Sequence, residues 1–171
     1  KFPLFIKPSR SGSSVGINKA SNIEELEKYI KEASIYDNKI LIEEMVIGRE
    51  VECAVYGNLD VYASCLGEVK SADDFYSYDA KYNIKESYTV IPADIDKELS
   101  DRVRDIAIKA YKAVDGKGLS RVDFFIDKDN NIIINEINTL PGFTDISMYP
   151  KLWESSGIEY GKLLDKVIEL A

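Results

Sequence analysis

The order of apolar and polar residues at the start of the chain predicts short strands around one helix. Residues 2–7 form an apolar run that stops at a proline, which predicts a buried strand. Residues 8–16 are so rich in glycine and serine that they are predicted to form a loop. A helix is predicted to begin at Ser21, in a capping box with Glu24, and to continue at helical spacing to about Ser34.

The next apolar runs predict three consecutive strands, at residues 39–46, 50–56 and 61–69. Turn-forming residues separate these runs, so the strands are predicted to pair as an antiparallel meander. Residues 70–88 are rich in charge and tyrosine and follow no clean period. They are predicted to form a long loop, and loops of this length are often functional.

A longer helix is predicted from its N-cap at Asp96 to about Val114, where glycines follow. Its buried stripe is predicted to consist of Leu99, Val103, Ile106, Ala110 and Val114. Strands at 120–126 and 132–137 are predicted to form a hairpin.

Short helices are predicted at 149–155 and 160–171, at the end of the chain. The order of all these elements indicates an α+β fold with largely antiparallel sheets, and not a doubly wound parallel sheet.

Composition narrows the function classes. The chain has 171 residues, 45% of them hydrophobic, which is enough to bury a core. Its formal net charge is −8, and an acidic surface repels phosphate backbones, so nucleic acid is not an expected partner. No apolar run approaches the roughly 20 residues needed to span a bilayer, and residues 1–4 lack signal-peptide features. We therefore expect no membrane partner and a cytoplasmic location.

The sequence contains no histidine. This removes the commonest general base and the usual zinc ligand from the segment. The two cysteines, Cys53 and Cys65, lie in apolar runs and are predicted to be buried small hydrophobes. Any metal must then be held by oxygen ligands, which suit magnesium and phosphate chemistry.

The first candidate site is the loop that follows Lys7. Gly12 and Gly16 allow tight turns, and Ser13 and Ser14 add hydroxyl and N–H donors of the kind that an anionic phosphate needs. The loop is not a Walker A motif, because no Lys-Ser or Lys-Thr follows its second glycine. A phosphate loop and a flexible Gly-Ser turn both remain open on composition.

The second candidate site lies on the predicted hairpin. Arg121 and Asp123 are two residues apart on one strand, and Glu136 and Asn138 are two apart at the end of the next. Residues at this spacing share a strand face, so the hairpin can bring both pairs together. Two carboxylates and an amide oxygen fit a magnesium site with an arginine beside it. A solvated strand face with an Arg-Asp pair is the alternative.

The turn at 138–144 follows the last of these residues directly. Its backbone N–H groups could bind an oxyanion, and an ordinary Pro-Gly turn is the competing interpretation.

Taken together, these segments resemble the D-alanine:D-alanine ligases of the ATP-grasp superfamily. The resemblance rests on KPSRSGSSVG, LIEEMVIGREVECAV, FYSYDAKY, SRVDFF, INEINTLPGF and SMYPKLW, in the family's order. It implies the C-terminal part of an ATP-grasp fold, incomplete at its N-terminus. Residues 1–48 would belong to the central subdomain and 49–171 to the C-terminal catalytic subdomain. An amino-terminal domain of the family would supply a further lysine and a substrate-binding glutamate.

The resemblance also implies roles for individual residues. The implied nucleotide contacts are Lys7 and Lys81 at the phosphates, the Ser13-Ser14 loop over them, Glu43 and Val46 at the adenine edge, Glu50 at the ribose, and Glu44 beside them. The implied metal ligands are Asp123, Glu136 and Asn138. The implied catalytic residues are Ser13, Tyr82, Arg121 and Gly142, and the implied substrate residues are Ser147 and Met148.

The implied reaction joins two D-alanine molecules through an acyl phosphate, for peptidoglycan precursors of the cell wall. It uses ATP and two Mg²⁺ or Mn²⁺ ions, and the full-length enzymes are usually homodimers. Two alternatives stay open: a D-alanine:D-serine ligase of the same fold, and a nucleotide-binding module without turnover. Other ATP-grasp ligases, such as carboxylases, lack the combination of DAKY and SMYPKLW.

Overall fold

A computed structural model of the chain describes residues 1–12, 14–70 and 88–171. The described residues fall into two compact units that divide between Val46 and Ile47. Helices and antiparallel sheets occur together, so the α+β prediction is confirmed. The loop predicted over 70–88 falls mostly on residues 71–87, outside the described ranges, and its two end residues belong to strands. Among the described residues, no helix has both the length and the apolar character needed to cross a membrane.

The first unit is a small antiparallel sheet covered by a helix. Its elements are β1 (Leu4–Pro8), β2 (Asn18–Ala20), α1 (Ile23–Ala33) and β3 (Ile40–Glu44). The strand order is β2–β1–β3, with both pairs antiparallel. Ile6, Ala20 and Ala33 are fully buried between sheet and helix. The short apolar core fixes β1, which ends where the glycine-rich loop begins.

Two sequence predictions for this unit are wrong. The N-cap of α1 is Asn22, whose side chain accepts a 2.9 Å hydrogen bond from Glu25 N. Ser21 instead donates its backbone N–H to the Glu25 carboxylate, so the cap is displaced by one residue. The predicted meander is confirmed for the antiparallel pair at 50–56 and 61–69 but is wrong for β3, which pairs with β1 and not with the strand that follows it. Apolar alternation identifies a strand without identifying its partner.

The second unit contains a larger antiparallel sheet and three helices among the residues described. Its elements are β4 (Arg49–Gly57), β5 (Val61–Lys70), β6 (Tyr88–Val90), α2 (Lys97–Ala113), β7 (Leu119–Ile126), β8 (Ile132–Asn138), α3 (Met148–Ser155) and α4 (Tyr160–Glu169). The strand order is β6–β5–β4–β7–β8. The predicted hairpin is confirmed as β7–β8, and the terminal helices α3 and α4 lie close to their predicted ranges.

Helix α2 covers one face of this sheet. Asp96 is its N-cap, as predicted, and accepts a hydrogen bond from Leu99 N. The buried helix residues are Leu99, Val103, Ala107 and Tyr111, whereas Val114 is exposed. The fully buried positions follow i, i+4 spacing from Leu99, and the predicted Ile106 and Ala110 are partly buried and pack against the same core. Only Val114 of the predicted stripe is wrong. Against the helix pack the buried strand residues Val51, Cys53, Val55, Leu66, Val122, Phe124 and Ile126.

Burial raises the pKa of the Cys53 thiol to about 12, so this cysteine stays protonated and unreactive. This agrees with its assignment as a core residue.

Helix α3 covers part of the opposite sheet face. The Trp153 ring lies 4.6 Å from the Tyr56 ring, and Tyr149 Oη donates to the Val55 carbonyl. Gly67 on β5 gives the helix room, because a Cβ there would lie 2.9 Å from both Leu152 Cδ2 and Met148 Sδ. The remainder of this face carries polar side chains from the next strands.

Candidate functional site

The polar residues of the second unit lie in one row across four strands. Gly67, Glu52, Asp123 and Glu136 are neighbours in strand register, on β5, β4, β7 and β8. Directly paired residues project from the same face of a sheet. The structure therefore brings Glu52 together with the predicted metal residues, on the face opposite α2.

Arg121 lies in the next row, opposite Asn138, and its guanidinium is fixed by two carboxylates. Its Nε and Nη2 donate to the two Asp123 oxygens at 2.7 and 2.8 Å, a bidentate arrangement. Glu52 Oε2 lies 3.0 Å from the same Nε as an ion pair. Burial alone would lower the pKa of Arg121, but the negative charges of Asp123, Glu52 and Glu136 outweigh it and raise the pKa. The cation is thus permanent and held in one place.

A β-bulge decides which side chains reach Arg121. Asp123 pairs with Glu136, whereas Phe124 pairs with Ile134, so Asn135 is an extra residue in β8. Without it, alternation along β8 would send Glu136 to the core face. Bulges commonly re-aim side chains beside functional sites.

The side-chain amide of Asn138 bridges the two predicted carboxylate ligands, Asp123 and Glu136, by hydrogen bonds. Asn138 Nδ2 donates to Asp123 Oδ2 at 2.9 Å and to Glu136 Oε1 at 3.2 Å, and neither bond uses its Oδ1. Two carboxylates and an amide oxygen on one face are an oxygen donor set of the kind that suits Mg²⁺. Across the described ranges, no three His, Cys, Asp or Glu side chains group as a metal site by themselves.

The turn after Asn138 is fixed by its own serine and threonine. Ser147 Oγ accepts from Thr144 N at 3.0 Å and lies 2.9 Å from Thr144 Oγ1. A Cβ on Gly142 would lie 2.8 Å from Ser147 Oγ, so a side chain at this position would displace that hydroxyl. The predicted oxyanion glycine and substrate serine therefore lie close together.

Phe143 anchors this turn to the helices that follow it. Its ring lies 5.3 Å from that of Tyr149 in α3 and 5.7 Å from that of Tyr160 in α4. Met148, the other predicted substrate residue, is the first residue of α3 and packs over Gly67. The turn is thereby held on rigid elements.

The glycine-serine loop of the first unit is fixed by an aspartate. Asp37 accepts hydrogen bonds from the Arg10 backbone N at 2.9 Å, from Arg10 Nη2 at 2.8 Å and from Lys39 N at 3.2 Å. These bonds, with the Arg10 side chain first, lower the pKa of the Asp37 carboxyl well below its ordinary value. Gly16 has φ +76°, and a Cβ there would lie 2.8 Å from the Tyr36 ring. The described ends of the loop, at Arg10 and Gly16, are thus held by contacts within the protein.

The predicted nucleotide residues of the first unit do not all lie on one face of its sheet. Lys7 Nζ forms a 2.7 Å ion pair with Glu43 Oε2, and the Lys7 side chain is largely buried. Glu44, the next residue on the strand, is exposed on the other side, so the structure does not bring it to Lys7. Ser14 has φ +60°, a left-handed conformation inside the loop. Val46 is partly buried beyond the end of β3.

Glu50 lies in the second unit, two residues from Glu52 and on the same strand face. Ser13, Lys81 and Tyr82 lie outside the described residues. Sequence reasoning missed Glu52, although its position between Val51 and Cys53 in an apolar run was a signal that it occupies the polar face of β4.

Solved structures similar to this chain come from D-amino-acid ligases. The D-Ala:D-Ser ligase VanG from Enterococcus faecalis superimposes with a TM-score of 0.89 at 40% identity, over 99% of this chain and 50% of that one. The D-alanine-D-alanine ligase from Coxiella burnetii superimposes with a TM-score of 0.82 at 40% identity, over 99% and 44%. The class of protein is therefore an α+β chain with the ATP-grasp fold of these ligases.

Sequence comparison identifies the family. The family described as D-ala D-ala ligase C-terminus matches residues 1–169. A D-alanine--D-alanine ligase of Oceanobacillus iheyensis is 54% identical over 171 residues, and one of Acetivibrio thermocellus is 53% identical. This chain belongs to the D-ala D-ala ligase C-terminus family. It covers 46% of the length of each of these two relatives, so it spans about half of the curated proteins it matches.

Proposed function

We propose that this chain is the C-terminal catalytic part of an ATP-dependent ligase that joins two D-alanine molecules. The observation that carries the proposal is the largely buried Arg121, held between Asp123 and Glu52 on the sheet face that also carries Glu136 and Asn138. The 54% identity to a D-alanine--D-alanine ligase supports the choice of substrate.

Arg121 is the residue to which we assign charge stabilisation. Its Nε and Nη2 are occupied by Asp123, and neither bond uses Nη1. We assign the Nη1 N–H groups to the oxygens of the transferring phosphoryl group, where a fixed cation lowers the barrier for both formation and breakdown of an acyl phosphate. Because the guanidinium is already immobile, little reorganisation is needed during the reaction.

The remaining roles follow from the residues around Arg121. Asp123, Glu136 and Asn138 would hold Mg²⁺ or Mn²⁺, which when bound neutralises phosphate charge. Gly142 would donate its backbone N–H to the oxyanion formed when the amine attacks, and the Ser147 hydroxyl would bind the carboxylate of the second substrate. Positioning of two substrates and ATP then accounts for most of the catalysis, without a nucleophilic side chain.

The nucleotide is assigned to the other predicted residues. Lys7, Ser13, Ser14 and Lys81 would contact its phosphates, and Glu43, Val46, Glu50 and neighbouring Glu44 its adenine and ribose. Tyr82 would work with Ser13 at the substrates. We further propose that the complete enzyme uses two metal ions, is a homodimer and acts in the cytoplasm on cell-wall precursors. Residues 1–48 would form part of the central ATP-grasp subdomain, and residues 49–171 the catalytic subdomain.

The experiment measures D-alanine-dependent phosphate release and dipeptide formation by the complete ligase that includes this chain. We expect both products with D-alanine and neither with L-alanine. Arg121→Ala should lower kcat by about a hundredfold or more, the usual scale for a lost charge-stabilising donor. Arg102→Ala, which removes an equal charge at an exposed position of α2, is the matched control.

Two alternatives are separated by the same assay. The match to a D-Ala:D-Ser ligase favours the first, in which D-serine replaces the second D-alanine. A mixed dipeptide formed in preference to D-alanyl-D-alanine would establish it. If Mg-ATP protects the protein thermally but no phosphate is released from ATP with either D-alanine or D-serine, the protein is a nucleotide-binding module and the ligase proposal is refuted.

A further inference from the structure

Glu52 is a buried carboxylate to which the family resemblance assigns no role. Its side chain is 7% exposed, and its Oε2 lies 3.0 Å from Arg121 Nε. The Nε–H bond is aligned with Asp123 Oδ1, at 2.7 Å, so the contact with Glu52 is an ion pair beside that hydrogen bond. One N–H group is thus within reach of two acceptors.

The charge balance around Arg121 includes Glu52. Among the described residues, Glu52 and Asp123 both pair with the guanidinium, and the negative charge of Glu136 acts on it as well. Without Glu52, the arginine would neutralise one of the only two carboxylates assigned to the metal.

Asp123 already accepts three hydrogen bonds. Both of its oxygens accept from Arg121, and Oδ2 also accepts from Asn138 Nδ2. A carboxylate has about four lone-pair sites, so a metal ion that takes more than the one remaining site must displace a donor. When Asp123 turns towards a metal, Arg121 needs a second anchor, and Glu52 is in contact with it already.

We propose that Glu52 is a positioning residue that keeps the Arg121 guanidinium in place while Asp123 binds the metal. This inference rests on the proposed function. When Asp123 binds the metal, the Arg121 Nε–H group donates its hydrogen bond to Glu52 instead of Asp123. The guanidinium then stays where the phosphoryl group is transferred. A misplacement of about 1 Å can cost on the order of a hundredfold in rate, so the anchor matters for kcat more than for substrate binding.

The matched control is Glu68, which is also buried and paired with an arginine. Arg49 Nε and Nη2 donate to the two Glu68 oxygens at 2.8 and 2.7 Å, and the Glu68 side chain is 2% exposed. Glu68 is paired with Val51 in register and therefore lies on the α2 face, away from Arg121. Glu68→Gln therefore removes a buried, arginine-paired carboxylate without disturbing the site.

The first measurement is steady-state kinetics of the complete ligase at saturating magnesium. We expect Glu52→Gln to lower kcat at least tenfold, with the KM for ATP changed less than threefold, and Glu68→Gln to keep kcat within threefold. In the Arg121→Lys background, Glu52→Gln should add less than threefold, because residues acting as one unit are not additive. A kcat within threefold of wild type for Glu52→Gln, or additive losses, would overturn the inference.

The second measurement needs no activity. In the complete ligase, at concentrations where calorimetry shows that Mg²⁺ and a non-hydrolysable ATP analogue are bound, hydrogen exchange of the Arg121 Nε–H should change less than threefold on their addition. In Glu52→Gln the same addition should accelerate exchange at least tenfold. If the wild-type Nε–H itself loses protection on addition of the metal, Glu52 is not an anchor. This wild-type result decides the matter even if the variant does not fold.

The two proposals fail differently. A wild-type ligase without D-alanine-dependent phosphate release overturns the proposed function, while the exchange experiment still tests Glu52. A fully active ligase in which Glu52→Gln behaves like Glu68→Gln overturns only the inference about Glu52.

Discussion

Substitution of Glu136 by Gln is expected to weaken divalent metal binding without unfolding the chain. Glu136 is exposed at the end of β8, and its carboxylate accepts one hydrogen bond, from Asn138 Nδ2. Glutamine keeps the size and one oxygen and removes the charge. The substitution therefore isolates the electrostatic contribution of one proposed ligand.

The size of the effect follows from charge and exposure. Two unit charges 4 Å apart interact by about 1 kcal/mol in bulk water and about 4 kcal/mol near a protein surface. A divalent ion doubles these values. Because Glu136 is exposed, the water-like limit applies, and a loss of about 2 kcal/mol corresponds to about a 30-fold higher Kd.

The assay is calorimetric titration of Mn²⁺ into the 171-residue chain with a non-hydrolysable ATP analogue. Glu98→Gln is the control, since it lies on α2 at the opposite sheet face and also removes one charge from a chain of net charge −8. At about 0.15 M salt the Debye length is about 8 Å, so remote charges contribute little. A Glu136→Gln Kd within threefold of the Glu98→Gln value would refute the metal assignment.

Three further predictions use other parts of the chain. Gly67→Ala should cost about 1–3 kcal/mol in urea unfolding, because its Cβ would overlap Leu152 and Met148, whereas Gly161→Ala in α4 meets nothing and should not destabilise; equal midpoints would contradict this. Asp37→Asn should lower the melting temperature at neutral pH. Since the folded pKa of Asp37 lies below the unfolded value, the difference from wild type should shrink as pH falls below about 4, and a constant difference would contradict the pairing. Tyr82→Phe in the complete ligase should lower turnover or D-alanine affinity more than ATP affinity, and an isolated loss of ATP binding would contradict its assignment.

The sequence was sufficient for most elements because their apolar periods are strong. The β7–β8 hairpin and helix α2 lie within a residue or two of their predicted bounds. Pairing partners were harder, since β3 joins β1 from far earlier in the chain and no local pattern reports that choice. The cap at Asn22 was missed because Ser21 and Asn22 are both good caps and both precede a glutamate at the right spacing.

Some residues of the candidate site could likewise be predicted from the sequence, and others could not. Arg121, Asp123, Glu136 and Asn138 could be found from their spacing on a predicted hairpin, and the structure brings them together. Glu52 could not be placed with them, because strand order decides that β4, and not another strand, lies beside β7. The roles of the nucleotide residues came from family resemblance and stay predictions.

The β-bulge in β8 explains why simple alternation would have given the wrong site. Counting back from the Ile126–Ile132 pair in regular steps places Glu136 on the core face. Yet Ile132 and Ile137 both pack against the core, and their odd separation is possible only if one residue is inserted between them. That residue, Asn135, returns Glu136 to the face of Asp123. An odd interval between core-facing residues of one strand is therefore a sequence-level sign of a bulge, and here the bulge creates the carboxylate pair on which the proposed metal site depends.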